Sequence, residues 1–191
     1  MTRGCFIVID ALDGVGKTTL VRDLAAAMDG VALATPGAAL QPARAQVLFA
    51  LGEDQVARCM FYASSVIAQG NVARALAEEE RIVVVDRYWP STIAYARARG
   101  VTADLSGVEA LIPAPDVHIV LTLDESERTR RLHARGNPTS ADRETLAPAF
   151  RDTVLRELRA RATIVVDTTG ATPPEAVARV RVALDAHLAP R

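Results

Sequence analysis

The chain has 191 residues, of which 50% are hydrophobic and 24% charged, and its 22 basic and 23 acidic side chains leave a net charge of −1. That length supports one core, so a single domain over 1–191 is expected, and the composition excludes a disordered chain. The charge balance gives no general attraction to nucleic acid or to an anionic membrane, so a bound anion must be met by local arginines and the expected partner is a small molecule.

Cys5 and Cys59 are lone thiols without His or Cys at metal spacing, and they read as packing residues in a reducing compartment. The first apolar run stops at Asp10, and nowhere do about twenty apolar residues follow one another. A cytoplasmic protein without a membrane anchor is expected.

Apolar, β-branched runs recur at 6–9, 31–33, 82–85, 117–123 and 163–166, separated by stretches of helical spacing. Continuous apolar strands alternating with helices predict an α/β fold, a parallel sheet covered on both faces. Three of the runs end in Asp10, Asp86 and Asp167, at the carboxyl edge where such sheets bind ligands. Residues 53–80 predict one long helix or a helix pair interrupted at Gly70. The cluster Gly136-Asn137-Pro138-Thr139-Ser140 breaks two helical stretches and is flanked by Arg130, Arg131, Arg135 and Arg143, which predicts a basic loop. The last helix begins at Pro173-Pro174, after a turn at Gly170.

The chemistry concentrates after the first run, in Ala11-Leu12-Asp13-Gly14-Val15-Gly16-Lys17-Thr18-Thr19. A strand, a glycine-rich turn and a helix start together make a phosphate-binding loop, in which backbone N–H groups and the helix dipole meet the anion. Lys17 is expected on the β- and γ-phosphates of ATP, and the Thr18 hydroxyl on Mg²⁺. Ala11 stands where the loop pattern has its first glycine, and alanine tolerates fewer backbone conformations. At the end of the third run, Asp86 is placed to hold Mg²⁺ or orient an attacking oxygen, and Arg87 to grip a phosphate. His118, His133 and His187 have no partner identifiable from sequence and read as packing or surface residues.

The segment from Phe6 to Thr19 and the later Asp86-Arg87-Tyr88-Trp89-Pro90-Ser91-Thr92-Ile93-Ala94-Tyr95 resemble the corresponding motifs of thymidylate kinases. Pro115-Asp116, Leu121-Thr122-Leu123-Asp124 and Asp142-Arg143 follow in the family's order. The resemblance implies a three-layer P-loop kinase fold with a five-stranded parallel sheet, helices on both faces and a short lid at about 133–145. It implies transfer of the γ-phosphoryl of MgATP to a nucleoside monophosphate, a pyrimidine nucleotide such as dTMP or a related or modified one, and a homodimer. Asp13, Gly14, Val15, Gly16, Lys17, Thr18 and Thr19 would then hold ATP, with Thr18 and Asp86 on the metal. Asp13, Phe61, Ser65, Arg87 and Tyr95 would hold the acceptor. Lys17, Asp86, Arg87 and the lid arginines Arg135 and Arg143 would be catalytic.

The acceptor side departs from that pattern. Where the family has T-R-E-P-G-G-T, this chain reads Leu33-Ala34-Thr35-Pro36-Gly37-Ala38-Ala39, without either charge. The arginine that reads the thymine edge is replaced by Ser65, and the glutamine after the Ala-Tyr pair by Ala96. Arg44, Arg58 and Arg74 are alternative sources of charge. A nucleoside or other small-metabolite kinase, and a nucleotide-binding regulatory module without turnover, stand as the alternatives.

Overall fold

The computed structural model describes residues 4–136 and 139–189. Its elements are β1 (Cys5–Asp10), α1 (Lys17–Ala27), β2 (Val31–Ala34), α2 (Arg44–Ala50), α3 (Gln55–Glu78), β3 (Ile82–Asp86) and α4 (Trp89–Ala98). There follow α5 (Ser106–Glu109), β4 (Val117–Thr122), α6 (Glu125–Ala134), α7 (Ser140–Leu146), α8 (Pro148–Arg161), β5 (Ile164–Asp167) and α9 (Pro173–Leu188). The five strands are parallel, in the order β2-β3-β1-β4-β5.

The alternation of side chains along a strand divides the core into two. On one face Cys5, Ile7 and Ile9 pack with Leu20 and Leu24 of α1, Val154 and Leu158 of α8, and Val180 and Leu184 of α9. On the other, Phe6 and Val8 pack with Cys59 and Val66 of α3 and with Tyr88, Trp89 and Ile93. Each fully buried side chain of this size contributes roughly 1.5–3 kcal/mol, which is why the continuous apolar runs settle at the centre. The outer strands β2 and β5 expose alternate residues, as edges do.

The expected long helix is one helix rather than a pair. Asp54 caps it by accepting from the Val56 and Ala57 amides at 3.0 and 2.9 Å. Gly70 does not break it; a Cβ there would collide with the Tyr88 hydroxyl and sit 3.0 Å from Pro113, so the glycine permits close packing against β3's end. Among the described residues no helix is long and apolar enough to cross a membrane. Of the expected 136–140 break, Gly136 has a left-handed φ of 76° and Thr139 caps α7, while Asn137 and Pro138 lie outside the described residues.

Strands are added to the left of β1 and then to its right, so the crevice opens at the carboxyl end of β1, between β3 and β4. Ile9 is in register with Asp86, and Asp10 with Val120. Two of the three strand-end carboxylates therefore stand beside the loop. The third, Asp167, is on the edge strand and accepts from the Thr169 amide and hydroxyl.

Candidate active site

Residues 11–16 turn from β1 into α1. Gly14 and Gly16 have φ values of 91° and 97°, a left-handed region open to glycine at little cost. A Cβ on Gly14 would also sit 3.0 Å from Leu132 and 3.1 Å from Arg128. Ala11 is fully buried and not among the left-handed residues, so the missing first glycine leaves no strain; its methyl is part of the core. The loop, with Leu12, Asp13, Lys17, Thr18, Thr19 and Arg135, encloses a pocket of about 110 Å³. Val15 is buried, and its carbonyl accepts from Arg131 at 3.2 Å.

At the mouth of the loop Asp86 receives both the Lys17 ammonium and, at 2.7 Å, the Thr18 hydroxyl. Burial, and then the positive charge of Arg87, pull the Lys17 ammonium below its ordinary range against the opposing pull of Asp86. Arg87 itself has a φ of 65°, held by its amide to Ile9 and by its carbonyl, which accepts from the Thr35 hydroxyl at 2.8 Å. Its guanidinium donates to Asp13 at 2.5 Å and to Ser91 at 3.3 Å and lies over the Tyr95 ring. Tyr95 donates to the other Asp13 oxygen at 3.2 Å. Burial opposes ionisation of Asp13, yet Arg87 and Lys17 hold its carboxyl below the usual carboxylate range. Burial pushes the Tyr95 phenol up to about 12, so it stays a donor. The arrangement is a cationic cradle with two carboxylates that fix its lysine and its arginine.

The residues expected on the acceptor side are less charged. Ser65 is buried and accepts from the Gly37 amide at 3.3 Å. Phe61 packs against Tyr62, with ring centroids 5.3 Å apart. Arg44 donates to the Tyr62 hydroxyl at 3.0 Å and lies over its ring. Arg58 is held by Glu53 and the Leu48 carbonyl. Arg74 pairs with Asp116, which also accepts from the Phe6 amide, at the opposite end of the sheet from the loop. It supplies no charge to this site. Arg143 is on the exposed side of α7 and is not among the residues lining the loop pocket, whereas Arg135 is. Arg131 pairs with Glu127, and Arg130 lines a neighbouring hollow with Asp124 and Thr169.

Two functional features were not legible in sequence. Arg128, only 1% exposed, donates to the Asp13 carbonyl at 3.0 Å and to the Thr145 carbonyl at 2.8 Å while pairing with Glu125. It ties the loop to α6 and α7. In a run of charged helical residues its burial has no signal except spacing: Arg128 and Leu132 lie four apart on the inward face of α6. The second is His118, which has two partners after all, Asp10 and the Arg161 carbonyl.

A family model described as thymidylate kinase matches residues 9–179. The chain belongs to the thymidylate kinase family. A thymidylate kinase of Xanthomonas euvesicatoria is 34% identical over 143 residues, covering 70% of this chain and 63% of that protein. The chain thus matches a little under two thirds of the length of these family members. A probable thymidylate kinase of Pyrobaculum calidifontis is 27% identical and matched over 85% of this chain and 86% of its own length. The structure of thymidylate kinase from Candida albicans superposes with a TM-score of 0.71 at 19% identity, over 96% of this chain and 92% of that one. That likeness establishes the P-loop kinase fold of the family, with its five-stranded parallel sheet and flanking helices.

Proposed function

We propose that the chain is an ATP-dependent phosphotransferase of the thymidylate kinase type, moving the γ-phosphoryl of MgATP to a nucleoside monophosphate, with pyrimidine nucleotides as the acceptor class. The observation that carries this reading is the single cluster in which Lys17, Thr18, Asp86, Arg87 and Asp13 meet around the loop. The residues suit Mg²⁺: a hydroxyl and a carboxylate oxygen 2.7 Å apart are hard oxygen donors. Among the described residues no group of three His, Cys, Asp or Glu side chains converges, so phosphate oxygens and water would complete the shell.

Bound MgATP supplies the transferable phosphoryl group and part of the charge neutralisation. The loop amides, the α1 N-terminus and Lys17 would hold the donor phosphates and neutralise their charge. Asp13 aims the Arg87 fork at the acceptor phosphate, and Tyr95 fixes Asp13. Arg135, on the wall of the pocket, supplies lid charge over the donor, with 133–145 as the lid and Arg143 reaching the site on closure. Positioning and charge neutralisation account for most of the catalysis in such transfers. The chain acts in the cytoplasm, with the exposed Phe49, Val56 and Val72 of α2 and α3 offered to a homodimer.

Mg²⁺-dependent ATP consumption over a panel of nucleoside monophosphates, nucleosides and no acceptor tests this, with Lys17→Ala as the blank. Turnover with a monophosphate supports the reading; ATP binding without turnover on any acceptor contradicts it. A nucleoside kinase is the second reading. It is favoured by the 35–37 segment, which meets Arg87 and Ser65 through a hydroxyl and a backbone amide rather than a guanidinium.

A further inference from the structure

Asp10 is fully buried at the carboxyl end of β1, and His118 is buried beside it on β4. Both ring nitrogens of His118 face acceptors: Nε2 is 3.0 Å from Asp10 Oδ2, and Nδ1 is 2.9 Å from the Arg161 carbonyl oxygen. A neutral imidazole has one N–H and would turn a lone pair toward one of these oxygens. An imidazolium opposite the Asp10 carboxylate satisfies both contacts at once. The other Asp10 oxygen accepts from the Tyr88 amide at 3.3 Å and from the Ser91 hydroxyl. Ser91 Oγ in turn accepts from Arg87 Nη1 at 3.3 Å. An unbroken chain of bonds thus runs from α8 through His118, Asp10 and Ser91 to Arg87.

What it supports is unfavourable without it. Arg87 is one of three non-glycine residues with positive φ among those described, and such a conformation persists only where the surroundings over-determine it. We infer that His118 and Asp10 are a positioning pair for Arg87, setting its strained turn through the Tyr88 amide and its guanidinium through Ser91. The benefit to an acceptor phosphate rests on the phosphotransfer reading above. The other charged groups facing the pair are Arg87 itself, Lys17 from α1 and Arg161 from α8.

Two variants separate the links. Ser91→Ala cuts the side-chain branch and leaves the pair and its bond to the Tyr88 amide intact; Asp10→Asn keeps the shape and removes the charge. The first measurement needs no substrate: the Arg87 side-chain Nε–Hε resonance is followed by NMR through the titration of His118. In the unaltered protein it should move with the His118 midpoint, and in Ser91→Ala that movement should shrink severalfold while His118 still titrates. An Arg87 signal indifferent to His118 in the unaltered protein would overturn the inference. The second uses ATP and thymidine monophosphate: both variants should raise the acceptor KM about tenfold and leave the ATP KM within about twofold. Equal rises in both constants would also overturn it. If the unaltered protein turns over no acceptor, the phosphotransfer reading fails alone, and the Arg87 resonance still decides the pairing.

Discussion

The proposed donor and acceptor sides of the site sit on the same sheet edge and are built differently. On the donor side Lys17 and Thr18 meet Asp86, and Arg128 and Arg131 grip the loop carbonyls of Asp13 and Val15. On the acceptor side Arg87 is anchored as firmly, by Asp13 and Ser91, but the 35–37 segment meets it and Ser65 through a hydroxyl and a backbone amide. The difference shows where this chain can have changed its chemistry. Phosphate binding by a loop depends on backbone geometry and tolerates little, whereas acceptor choice depends on side chains at exposed or replaceable positions.

The comparison breaks first at Lys17. Lys17→Ala should lower turnover by at least about a hundredfold with an unchanged circular dichroism spectrum, because a preorganised charge on the transferring group is lost. Activity close to that of the unaltered protein would remove the loop from the account. Next is Arg87→Lys, which keeps the charge but loses the two-pronged fork; kcat/KM for the acceptor should fall roughly tenfold to a hundredfold with ATP affinity preserved. Ala34→Arg sharpens the contrast in the other direction. Ala34 is exposed at the end of β2, in register with Asp86, so a guanidinium fits there without repacking. It should raise kcat/KM for monophosphates about tenfold and leave nucleosides unaffected, as one added charge-assisted bond would.

The smallest expected effect is on stability. Burial opposes the charge on His118, but Asp10 holds its pKa above 6.5; its contribution is complete below pH 6.5 and is lost as pH rises through the raised value. Burial likewise opposes ionisation of Asp10, but His118 and Ser91 hold it below 3.8; that contribution is complete above pH 3.8 and is lost as pH falls through the depressed value. The urea midpoint should therefore be highest between those two values as far as this pair is concerned. Asp10→Asn should flatten both limbs when the midpoint is followed against pH.

Much of this was readable in the residues. The five strands fall within a residue or two of the apolar runs, because central parallel strands are buried on both faces and must be apolar throughout. Lys17, Thr18, Asp86 and Arg87 come together as their spacing implied. What was not readable depended on facing across the fold. Only its spacing from Leu132 distinguishes the buried Arg128 from Arg130 in the same helix, and His118 looked partnerless because Asp10 lies 108 positions away and meets it only through the pairing of β1 with β4. Ala11 looked like a defect in the loop, and the backbone shows that the positions needing glycine are Gly14 and Gly16.

The central claim is that the donor machinery is intact and serves a phosphorylated acceptor. It is tested most directly by giving the purified protein MgATP with an equimolar mixture of nucleoside monophosphates and nucleosides and identifying the products by mass spectrometry. A nucleoside diphosphate should accumulate together with an equal amount of ADP. A new monophosphate made from a nucleoside, or ADP and free phosphate with no phosphorylated acceptor, would contradict it.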